Sequence, residues 1–232
     1  MRIWDVNPGY LNRQSLLGEH REIHGLFSVI YQQKKGYSHH PETLRWYGKM
    51  TALKRRHDLL VSEMLLRGYR HHSPMPGGNG EREQIQTQYV DLPYQQFKIL
   101  EKKYENREPG RIPFPVDCQQ LWAQHKYSVL ARDPDFYREI GPLVSKDNSE
   151  ELFNRLSREF VEILFIPPSQ GRLVNALLHM WGYVSHFVSQ PQRSQLETDL
   201  KSLAKTLRDL VFKHRVTYLM HSTALSDLLV YV

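Results

Sequence analysis

The sequence predicts an all-α protein built from two helical units. Three observations carry that expectation. Apolar residues recur at three- and four-residue spacings over long stretches. Polar capping residues stand just ahead of several of those stretches. No segment alternates apolar and polar residues as a half-buried strand would. Apolar residues form 40% of the 232 and charged residues 24%, a balance that can bury a core and argues against a disordered chain.

The first helix is expected from Ser15 to Tyr31, with Leu16, Ile23, Phe27 and Ile30 on one stripe behind a serine cap. The following "QQKKGYSHHPETLRWYGK" contains helix breakers and reads as an ordered loop. Met50, Leu53, His57, Leu60 and Met64 repeat the helical spacing, and Gly68 is a natural stop. "HHSPMPGGNGEREQ" is the best linker candidate, and "ENREPGRIPFP" is a second break after a mixed stretch holding Tyr94, Phe97 and Leu100. Beyond it, Asp117 with Gln120 and Asn148 with Glu151 have capping-box spacing, and Asp133 precedes Pro134 at a first helical position. Ser169 opens a helix carrying Leu173, Leu177, Met180 and Val184. Another is expected from Ser194 to His214, and a last from Tyr218. The expected organisation is a unit over 1–80, a linker over 81–111 and a unit over 112–232.

Cys118 is the only cysteine, which excludes a disulfide framework and a cysteine-based zinc site. With no apolar run long enough to span a bilayer and no apolar signal-peptide core, a cytoplasmic protein without a membrane partner is expected. Charge is unevenly placed. Residues 1–80 hold 12 Lys and Arg against 6 Asp and Glu, whereas residues 81–232 hold 19 of each. Seven of the twelve histidines also fall in the first 80. The N-terminal third therefore carries the whole positive excess, as a surface facing a polyanion would. A basic surface kept for solubility is the alternative.

Arg2 is too large for removal of the initiator, so Met1 is expected to keep a free α-amine. Such amines titrate near ~7.8 and lysines near ~10.4, so far more of an α-amine is neutral at pH 7 and able to attack a sugar C1′ as a nucleophile. A carboxylate must then stabilise the oxocarbenium charge and move protons. Glu19 and Glu22, three apart on one helical face, could each serve. The competing reading is an inert terminus with solvated glutamates. His20 and His24 have the i,i+4 spacing of helical metal ligands, but H-R-E-I-H is not the H-E-x-x-H of a zincin, and spacing names no third ligand. His57, on an apolar face, reads as a core histidine. Lys34, Lys35, Arg45, Lys49, Lys54, Arg55 and Arg56, interleaved with Tyr37, Trp46 and Tyr47, read as a phosphate-contacting surface with stacking groups, or as a solvated face.

With these residues in place, the N-terminal unit resembles the pyrimidine-dimer DNA glycosylases of the phage endonuclease V type. The family's "TRI" start and later "AEYREL" correspond here to "MRI" and "GEHREI" at the same separation, so Arg2, Ile3, Glu19, Arg21 and Glu22 match. "LKRRHDLLVSEMLLRGY" resembles a later helix of that family, and "GYSHHPE" its G-Y-x-[HN]-H-P motif. Gly25 and Ser15 replace a family arginine and histidine. The resemblance implies the Met1 α-amine as nucleophile and Glu22 as the essential carboxylate. Together with the basic, aromatic-interleaved surface, it leads to Arg2, Arg21, His24, Tyr37, His39, His40, Arg45 and Lys49 as the expected contacts to double-stranded DNA bearing a damaged or modified base. No cofactor and no metal are expected.

The C-terminal unit is similar to a YbgA-like family of uncharacterised helical domains. "HKYSVLARDPDFYREIGPLVS" and "PPSQGRLVNALLHMWGYVSHFV" carry that similarity. Some such domains are fused to enzymes acting on thiolated nucleobases, which makes RNA a second candidate partner. Arg172, Asn175, His179 and Tyr183 fall on one helical face, either as a binding surface or as an internal hydrogen-bond network.

The expected function is therefore DNA repair by a glycosylase with AP lyase activity. It would flip a nucleotide out of the duplex, form a Schiff base and cleave by β-elimination. The alternatives are a non-catalytic DNA- or RNA-binding module, and a metal-dependent hydrolase using the histidine clusters.

Overall fold

Chain that is neither helix nor strand can be buried only where side chains reach its peptide groups. Residues 3–12 are such a stretch, buried throughout and regular only in the short turn Pro8–Tyr10. The computed structural model describes residues 1–76 and 85–232. Among these the protein is all helical, with no strand. It divides into one unit of Met1–Gly110 with Asn154–Ile166 and another of Arg111–Phe153 with Pro167–Val232. The part of the expected linker at 81–84, and the "GGNGEREQ" portion of its motif, lie outside the described residues.

In the first unit, helix α1 spans Arg13–Tyr31 and packs on α3, Met50–Leu66. The cap of α1 is Asn12 rather than Ser15. Its side chain accepts from the Ser15 N–H at 2.9 Å, so the serine lies in the first turn. The expected loop after α1 contains a short helix α2, Pro41–Trp46. His40 caps it through Nδ1, which accepts from the Glu42 N–H at 3.1 Å, and Pro41 takes the first position. Helix α3 stops as expected at Gly68, whose φ of +81° is the left-handed region glycine adopts freely. Helix α4, Pro93–Lys103, forms inside the stretch read as linker and buries Phe97 and Leu100. The Phe97 ring meets Tyr10 edge-on, 5.0 Å between centres.

Three arginines from α2 and α3 satisfy the irregular N-terminal stretch. Arg45 donates to the Ile3 carbonyl at 2.9 Å and Arg56 to the Val6 carbonyl at 2.8 Å. Arg67 donates to the carbonyls of Leu11, Pro8 and Gly9 at 2.8, 3.3 and 3.2 Å. Each cation is neutralised beside its carbonyl. Arg45 pairs with Asp5 and Glu42, Arg56 with Glu19, and Arg67 with Glu63. From α4, the Gln96 side-chain carbonyl accepts from the Asp5 N–H at 2.7 Å.

In the second unit, α5 (Cys118–Leu130) and α6 (Pro134–Val144) begin on the expected caps. The Asp117 carboxylate accepts from the Gln120 N–H at 2.7 Å, and Asp133 from Phe136 at 2.9 Å. Helix α7, Glu150–Ile163, begins in this unit, with its residues from Asn154 onward assigned to the first, and is capped one residue later than expected. Ser149 Oγ accepts from Leu152, while the Asn148 side chain accepts from the Cys118 N–H. Helix α8, Gln170–Trp181, follows Ser169. The long helix expected from Ser194 is two, α9 (Gln190–Leu196) and α10 (Leu200–Lys213), because Asp199 caps a fresh start by accepting from Lys201. The terminal segment forms α11 (Thr217–Met220) and α12 (Ala224–Asp227). A buried ion pair of Arg132 with Asp227, 3.3 Å, ties α12 to the end of α5.

Replacing Arg56 by Leu strands the fully buried Glu19 without its partner. Urea unfolding is expected to show a loss of about 3–5 kcal/mol, most of it recovered in the Glu19→Leu/Arg56→Leu double variant.

Candidate active site

Helix periodicity assigns different work to the two candidate glutamates of α1. Glu19 faces α3 and is 2% exposed. Both its oxygens accept from Arg56, Nε to Oε1 at 2.7 Å and Nη2 to Oε2 at 3.0 Å. Burial raises its carboxyl to about 7, with the Arg56 guanidinium opposing. Glu22 lies one turn further on and is half-buried. It has no hydrogen bond or ion pair among the described residues. Of the two, only Glu22 is unengaged among the described residues.

Met1 and Arg2 are half-buried where the clamped stretch emerges, and Ile3 and Trp4 anchor them from inside. The Met1 amine also has no hydrogen bond or ion pair among the described residues. Arg2 pairs with Asp91, and its guanidinium carbon lies 4.4 Å from the Trp4 ring centre.

The residues expected at DNA separate into three groups. Arg21, Tyr37 and His39 are exposed, and Tyr37 holds a φ of +60°. His40 is half-buried as the cap of α2, its ring 6.2 Å from that of Tyr37. Lys49 is half-buried and donates to Gln86 at 2.7 Å, and burial lowers its pKa. Arg45 is a correction. It is 6% exposed, and its guanidinium donates to Asp5, Glu42 and the carbonyls of Ile3 and Gln88. It is a structural cation rather than a phosphate ligand, because the irregular N-terminal stretch needs its donors. Arg56 and Trp46, read as part of the same basic surface, are buried too.

His24 falls in a constellation that spacing alone did not complete. His20 and His24 of α1, His57 of α3 and His71 after α3 place one ligand nitrogen each within 4.8 Å of all the others. The Nε2 atoms of all four are buried and have no hydrogen-bond partner among the described residues. An unsatisfied buried polar atom costs about 1–3 kcal/mol, so four in one place form a set that wants a common partner. Burial, then the facing rings, lowers His20 to about 4, and the same causes lower His24 and His71. His57 is thus not a satisfied core histidine. The "RHHS" motif contributes His71, and "SHHP" contributes none.

Comparison with known families bears on the first of these sites. Residues 1–76 match the family described as pyrimidine dimer DNA glycosylase. The match covers the clamped stretch, α1, α2, α3 and His71. Residues 126–227 match a family described as protein of unknown function (DUF1722). No curated protein and no solved structure matches the chain. In that second unit Arg172, Asn175, His179 and Tyr183 are exposed along α8 and just beyond it, while Arg172 donates to the Arg132 carbonyl at 2.7 Å and the Tyr183 ring stacks on Tyr218. Among the described residues no helix is long and apolar enough to cross a membrane.

Arg45→Ala is expected to cost about 3–5 kcal/mol, because Asp5 and Glu42 are left buried without their cation. The exposed Arg21→Ala should stay within about 0.5 kcal/mol of the parent in the same unfolding assay.

Proposed function

We propose that the protein is a DNA glycosylase with AP lyase activity, in which the Met1 α-amine is the nucleophile and Glu22 the essential carboxylate. The family match over residues 1–76 supports the reaction class. The observation that carries the assignment of Glu22 is the division of labour on α1. Glu19 is engaged by Arg56, while Glu22 is held on the same helix without a partner among the described residues.

The neutral Met1 amine attacks C1′ of an extruded nucleotide. The N–C1′ bond forms as the glycosidic bond breaks, and the base leaves with the bonding pair and a proton. Opening of the C1′–O4′ bond then gives an iminium. Glu22 stabilises the oxocarbenium charge during attack and afterwards takes the C2′ proton. The electrons released expel the 3′ phosphate and cut the strand. Arg2, Arg21, Tyr37, His39 and His40 hold the backbone and the opened duplex, with Lys34 and Lys35 extending the cationic surface.

Borohydride should trap a covalent complex with abasic-site DNA, its adduct on the N-terminal peptide. Glu22→Gln should lower strand cleavage by about 10²-fold or more with DNA binding retained. One uncleaved glycine ahead of Met1 turns the amine into an amide and should abolish trapping without moving the thermal melt. An adduct on a lysine would overturn the assignment of Met1, and absence of any adduct would favour a non-catalytic binding module. For the cationic surface, Arg21→Ala/Lys34→Ala/Lys35→Ala should flatten the slope of log K against log[salt] by about 0.9 for each phosphate that is no longer neutralised.

A further inference from the structure

The four clustered histidines of the first unit present buried, unpartnered Nε2 atoms as a ligand set would. His57 Nδ1 lies 3.0 Å from Asp58 Oδ1, and a carboxylate there takes the proton on Nδ1. The Ser73 main chain lies beside both His24 and His71. On His57 the Asp58 contact leaves a bare Nε2 lone pair, and Nε2 of His20, His24 and His71 is likewise buried with no hydrogen-bond partner among the described residues. Lone pairs facing one another with no donor between them repel, and a cation removes that repulsion. The Asp58 carboxylate is the kind of outward partner that orients a metal-bound histidine.

The spacing agrees. An ion about 2.0–2.1 Å from four tetrahedrally placed imidazole nitrogens sets neighbouring ring centres roughly 5.2 Å apart. The ring centres here are separated by 4.7 Å for His20 and His24, 5.1 Å for His20 with His57 and with His71, 5.0 Å for His24 and His57, and 5.3 Å for His57 and His71. His20 and His57 are 8% and 2% exposed, so the lone pairs do not face bulk water.

We propose that His20, His24, His57 and His71 bind one divalent zinc ion in a closed, structural site. Imidazole suits several transition metals, but a compact tetrahedral set with no thiolate favours zinc over the square-planar preference of copper. Four protein ligands leave no open position for water, so the site is not the centre of a hydrolase. Its work is mechanical. It joins α1 to α3 and to the chain after α3, and it grips α1 at the two positions flanking Glu22. Asp58, which also pairs with Lys54 at 2.6 Å, is a positioning residue for His57. The inference does not depend on glycosylase chemistry, because metal content is read without substrate.

The test uses the tag-free full chain, incubated with zinc and freed of excess by gel filtration. Elemental analysis should find one zinc per chain, and cobalt in its place should give the strong visible bands of a tetrahedral site. His71→Ala, which lies outside any helix, should lower bound zinc by about tenfold or more, whereas His72→Ala next to it should retain it. Asp58→Asn should weaken zinc binding by about 10- to 100-fold, measured by competition with a chromogenic chelator, with circular dichroism unchanged. A strong chelator should lower the melting temperature of the parent and leave that of His71→Ala unmoved. Sub-stoichiometric zinc in the folded parent would overturn the site, as would equal loss in His72→Ala. Full zinc content with no chelator effect on melting would overturn its structural role.

Discussion

The first unit depends on burying a stretch of chain that cannot satisfy its own carbonyls. Residues 3–12 run through the interior with one short turn, and Arg45, Arg56 and Arg67 supply the donors that helix or sheet would otherwise provide. A guanidinium suits the task because its fork can reach a carbonyl and a carboxylate at once. Each does so: Arg45 with Asp5 and Glu42, Arg56 with Glu19, Arg67 with Glu63. Removing a carboxylate would take the counter-charge from a cation held in the interior, and removing a cation would take a donor from both an acid and a carbonyl.

That constraint reaches the candidate active site directly. A terminus proposed as a reagent must be held, and this one is held from behind rather than at its tip. Ile3 and Trp4 are buried and the Val6 carbonyl is clamped, while Met1 remains at the half-buried end. The same clamp consumes Glu19, and so separates two glutamates that lie three residues apart on one helix. The acid that builds the unit and the acid left without a partner are distinguished by a single helical turn.

The second unit repeats the device on a smaller scale. Arg132 pairs with Asp227, and Asp227 also accepts from Ser128 Oγ at 2.6 Å. Burial raises the Asp227 carboxyl, with Arg132 opposing. The arginine again joins distant segments, here the end of α5 and α12. Exposed polar residues in this unit lie along α8, away from its buried stripe of Leu173, Leu177 and Met180.

What the sequence by itself determined is everything that depends on neighbours within a turn or two. Helical class, the caps at Asp117 and Asp133, the stop at Gly68 and the stripe of α3 are local matters of periodicity and capping. The match of "MRI" to "GEHREI" is likewise legible as spacing. What only the tertiary structure decided is which charged residues face inward. Arg45 and Lys34 look alike in sequence, yet one is buried against the carbonyls of Ile3 and Gln88, each some forty positions away, and the other is exposed. His57 reads as core until His20, His24 and His71 arrive from other segments and leave four nitrogens facing one another. The physical reason is common to both cases. A buried polar group is set by the partner that satisfies it, and here those partners come from elements far apart in the chain.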